Sequence, residues 1–212
     1  IIAAEHGNAF ATAGLSSQYI EIMALKAMDD RGRGSTNHFF DSIQFAIANG
    51  AEVINLSVEG IGRNPSLEEA ITDAVNQGVV VVLAAGNQGK ENSSRRLFAP
   101  AYIGGQMNGA ITVTSIDTRT TELSHFSNFG LGFAEIAAPG AEDSNSSQGG
   151  ILSLAPNNQT TRLLGTSQAA PMVSASAAMI IGYLKDRAVT YYPGNVETVS
   201  YTHLRAHETL LD

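Results

Sequence analysis

Short apolar runs alternate with amphipathic stretches along most of the chain. Four runs have the length and composition of strands: "IEIMALKAM" from Ile20, "VINLSV" from Val53, "VVVVLAAG" from Val79 and "GAITVTSI" from Gly109. The third run is continuously apolar and β-branched, which is typical of a strand buried on both faces of a sheet. We therefore predict strands at these four places.

Two amphipathic stretches between the runs have readable helix ends. "STNHFFDSIQFAIANG" begins at a Ser/Thr pair and stops before Gly50, whereas "NPSLEEAITDAVNQG" has Asn64 as cap, Pro65 at its first position and Gly78 at its end. The apolar face of the second helix is formed by Leu67, Ile71, Ala74 and Val75. Strands and helices alternating at this spacing predict right-handed crossovers and an α/β fold with a mostly parallel, doubly wound sheet.

A third helix-length stretch, "GTSQAAPMVSASAAMI", is rich in Ala and Ser and is followed by no charge before Lys185. This composition predicts a helix that is buried on most sides. Ser167 stands at its beginning, and two interpretations are open. The serine is a helix cap, or it is a reactive hydroxyl at the positive end of the helix dipole.

Composition narrows the classes of function. The 212 residues are enough for one large domain, and 43% hydrophobic against 15% charged residues is a globular balance. Twenty acidic against twelve basic residues give a formal charge of −8 without a basic stripe, which argues against a nucleic-acid partner. The apolar runs are too short or too interrupted to span a membrane. The absence of cysteine excludes disulfides and thiolate metal sites.

Candidate chemistry lies where strands end, because ligands collect at the carboxyl ends of parallel strands. Asn87, between Gly86 and Gly89, directly follows the buried run. Its amide is a neutral donor that suits charge developing in a transition state, although Asn and Gly are also ordinary turn residues. The segment is no Walker A loop, because Ala84 and Glu91 replace the required Gly and Ser/Thr.

His6 precedes Gly7 and a run of small residues that predicts another buried helix. A lone histidine is more often a surface or core residue than a base. A nucleophilic serine nevertheless needs a base within hydrogen-bond reach, and two helices of small residues pack closely enough to provide it.

Five segments in order resemble the motifs of subtilisin-like serine peptidases: "HGNAFATAG", "AIANGAEVINLSVEG", "VVVVLAAGNQG", "HFSNFG" with "IAAPG", and "GTSQAAPMVSA". The last matches the family's nucleophile motif Gly-Thr-Ser-x-Ala-x-Pro. The resemblance covers nearly the whole chain and implies a subtilisin-like three-layer sandwich. It also implies an endopeptidase that acts through an acyl-enzyme.

The resemblance assigns a role to each candidate. Ser167 would be the nucleophile, His6 its general base and Asn87 the side-chain donor to the oxyanion. The substrate cleft would be lined by Ser57, Val58, Glu59, Ala85 and Gly86, with the first three pairing with the substrate backbone as an added strand. Glu59 stands where the family usually has Gly, which would narrow the cleft or favour basic substrate side chains.

The acidic member of the family's triad is missing. The family order is Asp, His, Ser, but only five residues precede His6, and Glu5 is too close in sequence to serve. Asp117 in "SIDTRT" follows the strand after Asn87, so we interpret it as an ordinary turn residue. We expect the chain to be a fragment that lacks the first strand with its Asp and is inactive by itself.

The remaining expectations concern boundaries and partners. Residues 1–198 are predicted to form a partial subtilisin-like domain. Residues 199–212 share nothing with the family, and His203 and His207 lack the HExxH order of a zinc site. The segment from His6 to Ile20 is too short for the family's calcium loop, so no metal or other cofactor is expected. The expected partner is a polypeptide substrate, without nucleic acid or membrane, and the expected state is a monomer. The resemblance implies an extracellular or periplasmic location.

Two alternatives remain beside the peptidase. A pseudopeptidase would bind peptides by strand addition without cleaving them. A nucleotide- or cofactor-binding α/β domain shares the alternation of strands and helices, but it ranks far lower because the chain has neither GxGxxG nor Walker A.

Overall fold

The computed structural model describes residues 1–10, 12–16, 20–93 and 96–198. The strands in these ranges are β1 (Val53–Leu56), β2 (Gly60–Ile61), β3 (Val80–Ala84), β4 (Phe98–Ala99), β5 (Ala110–Asp117), β6 (Ile136–Ala141), β7 (Ile151–Ala155) and β8 (Gln159–Leu163). The α-helices include α1 (Thr36–Ala48), α2 (Pro65–Asn76) and α3 (Thr166–Asp186), and a 3-10 helix spans Ala101–Gln106.

A four-stranded parallel sheet in the order β1-β3-β5-β6 carries the fold. All five residues of β3 are buried, as its unbroken β-branched sequence predicts. Two small antiparallel pairs, β2 with β4 and β7 with β8, complete the strands of the described ranges. The predicted parallel sheet is confirmed.

Alternate residues of β3 enter two different apolar cores. Val81 and Leu83 belong to the core that contains buried residues of α1 and α2. Val80 and Val82 belong to the core that α3 covers. Because successive side chains of a strand point to opposite faces, helices lie on both faces of the sheet. The predicted three-layer α/β sandwich is therefore confirmed.

The helix ends follow local sequence signals. The side chain of Ser35 accepts a hydrogen bond from the His38 N–H at 3.3 Å, and that of Asn64 accepts one from the Leu67 N–H at 3.2 Å. In α3 the cap position is held by Gly165, so Ser167 lies inside the first turn. The interpretation of Ser167 as a helix cap is wrong, and its hydroxyl is left for other contacts.

The predicted strand from Ile20 does not form. Residues 20–28 have no regular secondary structure, and Ile22, Met23, Leu25 and Met28 are exposed. Within the described ranges β1 pairs with β3 alone, so no neighbouring strand takes up the backbone groups of this apolar segment. A strand pattern without a hydrogen-bonded neighbour does not produce a strand.

The predicted helix after His6 does not form either. Residues 6–10 are a series of bends, and Gly7 and Ala9 have φ of +72° and +56°. These left-handed values are incompatible with an α-helix. Hydrogen bonds from the N–H groups of Gly14, Leu15 and Ser16 to the carbonyls of Ala4, Ile1 and Ile2 close the segment into a loop. Residues 199–212, with His203 and His207, lie outside the described residues.

Glu135, which directly precedes β6, is a carboxyl group in an unfavourable environment for charge. Its Oε2 accepts from the Thr112 N–H at 2.7 Å, and its Oε1 is buried without a hydrogen-bond partner among the described residues. Burial, reinforced by the charge of Glu197, raises the pKa of Glu135 to about 8. The folded protein therefore holds a proton there at neutral pH.

We expect Glu135→Gln to flatten the dependence of stability on pH. Between pH 4.5 and about 8 the folded state binds a proton that the unfolded chain has released, so the free energy of unfolding falls as pH rises through this window. The neutral glutamine removes that fall. Urea unfolding at several pH values measures it, with the exposed Glu122→Gln as control. An equally steep fall in both variants would contradict the prediction.

Candidate active site

Ser167 is joined to the segment after β1 by a reciprocal pair of contacts. Its Oγ lies 3.4 Å from the Ser57 carbonyl oxygen, and the Ser57 Oγ donates to the Ser167 carbonyl oxygen at 3.2 Å. Behind them Asn55 donates to the Ser57 Oγ at 3.0 Å and accepts from the Ser174 Oγ at 2.9 Å. These bonds fix the first turn of α3 against the carboxyl end of β1.

Asn87 lies beside the same turn. Its Oδ1 accepts from the Thr166 N–H at 2.8 Å and from the Thr166 Oγ at 3.1 Å, and the Thr166 Oγ accepts from the Gly86 N–H at 3.1 Å. The Asn87 Nδ2 has no hydrogen bond to a described residue. The Ser167 N–H lies in the first turn, where a helix has no partner for it. Two N–H donors without a described partner thus belong to residues that line the same cavity, Asn87 and Ser167.

The backbone of the loop that carries Asn87 is hydrogen-bonded to the side chain of Asn128, which is fully buried. The Asn128 Nδ2 donates to the Ala85 carbonyl at 3.0 Å, and its Oδ1 accepts from the N–H groups of Gln88 and Lys90 at 3.1 and 3.0 Å. Gly86 has φ of +98°, and a Cβ there would overlap the Asn128 amide. Only glycine fits this turn.

Glu59, in the segment after β1, forms hydrogen bonds to the loop that carries Asn87. Its Oε2 accepts from the Asn87 N–H at 3.0 Å, and its Oε1 accepts from the Gln88 side-chain amide at 2.6 Å. The side chain is exposed to solvent. The segment after β1 and the loop after β3 are therefore bridged by one carboxylate.

These groups line an open cavity of about 630 Å³. Of the predicted site residues, Ser57, Val58, Glu59, Asn87 and Ser167 line it, and the glycine-rich stretch 32–34 forms part of the facing wall. Ala85 and Gly86, also predicted to line the cleft, are buried next to Asn87 and do not line the cavity.

His6 is not brought into hydrogen-bond contact with Ser167. Its ring is exposed, and its Nε2 lies 2.5 Å from the Gly14 carbonyl oxygen. Because a carbonyl only accepts, the Nε2 carries the proton in this arrangement. The assignment of His6 as general base stays a prediction.

Asp117 is tied to its own turn. Its carboxylate accepts from the N–H groups of Ser144, Arg119 and Thr120 at 2.6, 2.9 and 3.3 Å. These bonds, that from Ser144 first, lower its pKa to about 2. The side chain is almost fully buried and acts as an anchor for the loops around it.

The expectation that the segment from His6 to Ile20 holds no calcium ion stays a prediction. The first twenty residues contain a single carboxylate, Glu5, which lies 3.5 Å from the Asn8 Nδ2. Calcium takes six to eight oxygen ligands, usually with several carboxylates. Within the described ranges no group of three His, Asp or Glu side chains is placed to hold a metal ion.

Three contributors to the site were not predicted from the sequence. Thr166 orients the Asn87 amide, Asn128 holds the loop, and Arg33 lies on the facing wall of the cavity. Thr166 and Asn128 belong to the motifs "GTS" and "HFSNFG", which carried the family resemblance, but the sequence assigned neither residue a role. Arg33 lies in "RGRGS", a glycine-rich stretch that marks a loop.

Fold and site together define a doubly wound α/β protein with a candidate nucleophile at the amino end of a buried helix. Residues 1–208 match the model of the subtilase family, peptidase S8, and the chain belongs to this family. The predicted resemblance is confirmed.

Named relatives support the same assignment. The chain is 36% identical to a thermophilic serine proteinase of Bacillus sp. (strain AK1), covering 85% of this chain and 40% of that protein. It is 35% identical to the major intracellular serine protease of Bacillus subtilis (strain 168), covering 73% of this chain and 44% of that protein. A solved protease of Pseudoalteromonas arctica PAMC 21717 matches with a TM-score of 0.76 and 29% identity, covering 93% of this chain and 60% of that one. The chain thus spans about half the length of the curated relatives it matches.

Among the helices of the described ranges, none combines the length and the hydropathy needed to cross a bilayer.

We expect Asp117→Asn to weaken the fold at neutral pH without changing the pH dependence of Ser167 reactivity. An Asp with a lowered pKa stabilises the folded state above its unfolded pKa of 3.8, and this contribution is lost as pH falls towards 2. Asparagine keeps the shape but loses the charge-assisted bonds. In the full-length protein, thermal melting measures the loss, and the rate of serine labelling by a fluorophosphonate, as a function of pH, tests the site. A shifted labelling profile would place Asp117 in the reaction.

Proposed function

We propose that this chain is the major part of the peptidase domain of a subtilisin-like serine endopeptidase. Ser167 attacks the scissile carbonyl, His6 takes the serine proton, and the Asn87 Nδ2 and the Ser167 N–H bind the oxyanion. The reaction uses protein side chains and water.

The observation that carries this proposal is the arrangement of Asn87. Its side-chain oxygen is engaged by Thr166, which leaves its N–H₂ group without a described partner at the start of α3. A donor held in place before the charge develops costs no reorganisation during the reaction. A turn asparagine without such a role would not need its amide oriented by a residue 79 positions away.

The chemistry proceeds in two balanced halves. The Ser167 Oγ forms a bond to the carbonyl carbon while its proton passes to His6, and the proton then goes to the leaving amine as the peptide bond breaks. Water repeats the sequence on the acyl-enzyme and releases the carboxylic acid. Both halves pass through a tetrahedral oxyanion at the same pair of donors.

The residue that orients His6 is proposed to come from outside residues 1–212. Two carboxylates were considered for this role: Glu5 is adjacent to His6 in sequence, and Asp117 is held by three backbone N–H groups of its own loops. A triad needs an acceptor for the Nδ1–H of the histidine. Without it, this chain alone is expected to be inactive.

A peptide-binding pseudopeptidase is the second candidate. The observation in its favour is the bond between the His6 ring and the Gly14 carbonyl, because a histidine held there does not serve as base to Ser167. In either case the ligand is a polypeptide, and the segment 57–59 pairs with its backbone as an added strand. The protein is proposed to act as a monomer outside the cytoplasm.

We expect Ser167→Ala to abolish peptide hydrolysis in the full-length protein. Asn87→Ala should lower kcat by about 10²–10³ with little change in KM, the range known for the oxyanion asparagine of a subtilisin. Release of a chromogenic peptide measures both. The exposed Glu69→Ala is the control and should keep the wild-type kcat. Undiminished turnover by Ser167→Ala would refute the peptidase assignment.

We expect Glu59→Gly to weaken a preference for Lys or Arg in a cleft subsite. Glu59 is an exposed carboxylate on the cavity wall, so its charge favours cationic side chains. Cleavage of a peptide library gives the ratio of kcat/KM for basic over neutral side chains, and this ratio should fall towards one. Glu69→Ala again serves as control. A ratio that does not change on substitution would remove Glu59 from specificity.

A further inference from the structure

We propose that Glu59 is a positioning residue that holds the oxyanion donor Asn87 in place. This inference rests on the proposed function and deepens it, since Glu59 acts through Asn87 and does not touch the reacting atoms. No motif predicts the role, because Glu59 stands where the family usually has glycine.

Glu59 contacts Asn87 and its neighbour directly. The backbone N–H of Asn87 donates to the Glu59 Oε2 at 3.0 Å, and no other described group accepts from it. The Glu59 Oε1 accepts from the Gln88 Nε2 at 2.6 Å, and the Gln88 Oε1 accepts from the buried Asn128 at 2.6 Å. The carboxylate therefore ties Asn87 to the buried anchor of its loop.

The backbone around Asn87 needs such a bond. Asn87 is exposed and lies between Gly86 and Gly89, which have φ of +98° and +60°. Glycines on both sides give the peptide more conformational freedom than any other residue would. The Thr166 bonds hold the amide end of the Asn87 side chain, and the Glu59 bond holds its backbone end. Loss of either one lets the amide leave the oxyanion position.

A positioning role and a purely electrostatic role of Glu59 predict different effects of substitution. A carboxylate near a developing oxyanion opposes it by Coulomb repulsion, so a purely electrostatic role predicts that neutral Glu59→Gln speeds the reaction. A positioning role predicts that Glu59→Gln does not speed the reaction and that Glu59→Ala is slower than Glu59→Gln. Glutamine keeps one oxygen for the Asn87 N–H, whereas alanine keeps none, so Glu59→Gln should rescue most of what Glu59→Ala loses.

A double-mutant cycle in the full-length protein tests the kinetic part. Glu59→Ala should lower kcat about tenfold with KM little changed, as expected for one charge-assisted hydrogen bond. In an Asn87→Ala background the same substitution should have no further effect on kcat, because there is no side-chain amide left to position. Equal, additive losses in both backgrounds would overturn the inference. Glu69→Ala is the matched control.

Amide hydrogen exchange tests the contact without any need for activity. The Asn87 N–H should be protected in the unsubstituted protein and in Glu59→Gln, and should exchange faster in Glu59→Ala, while Val81 in β3 stays protected in all three. Unchanged exchange at Asn87 in Glu59→Ala would overturn the inference. If protection of the Asn87 N–H depends on Glu59 but the protein hydrolyses no peptide, the contact is supported and the proposed function is overturned. Failure of the inference and failure of the proposed function therefore give different results.

Discussion

The bond between the Asn87 side chain and the first residue of α3 is the contact on which the site depends. The Asn87 Oδ1 accepts from the Thr166 N–H, one of the donors that a helix start leaves without an intrahelical partner. This single contact satisfies the helix, fixes the loop after β3 and directs the remaining half of the amide outwards. The parallel sheet makes it possible, because it brings the carboxyl end of β3 and the amino end of α3 to the same edge.

The elements that the sequence predicts well are those with local causes. The buried run of β3 carries its signal in its own β-branched residues, and its neighbours β1 and β5 take its hydrogen bonds. α2 begins where Asn64 caps it and Pro65 fixes the first φ, and these signals lie within four residues of each other. Asn87 and Ser167 were also proposed as site residues from the sequence, because the order of motifs carries information that neither residue has alone.

The features that sequence does not predict depend on distant partners. The apolar run 20–28 has the pattern of a strand, yet a strand exists only when a neighbour takes its hydrogen bonds. Likewise, the small residues after His6 suit a buried helix, but burial requires a surface to pack on. Glu59 shows the same limit within the site, since its partners Asn87 and Gln88 lie 28 and 29 positions away in sequence.

The tautomer of His6 follows from its position beside the Gly14 carbonyl. With the proton on Nε2, the ring donates to the Gly14 carbonyl, and the nitrogen that a serine proton would need to reach is already occupied by hydrogen. A base for Ser167 requires the other tautomer, with the proton on Nδ1 and a lone pair on Nε2. An acceptor beside Nδ1 stabilises that tautomer and leaves Nε2 unable to donate to Gly14. One carboxylate would thus both release the ring from its loop and prepare it as a base, which links the local fold of residues 1–16 to the reactivity of the serine.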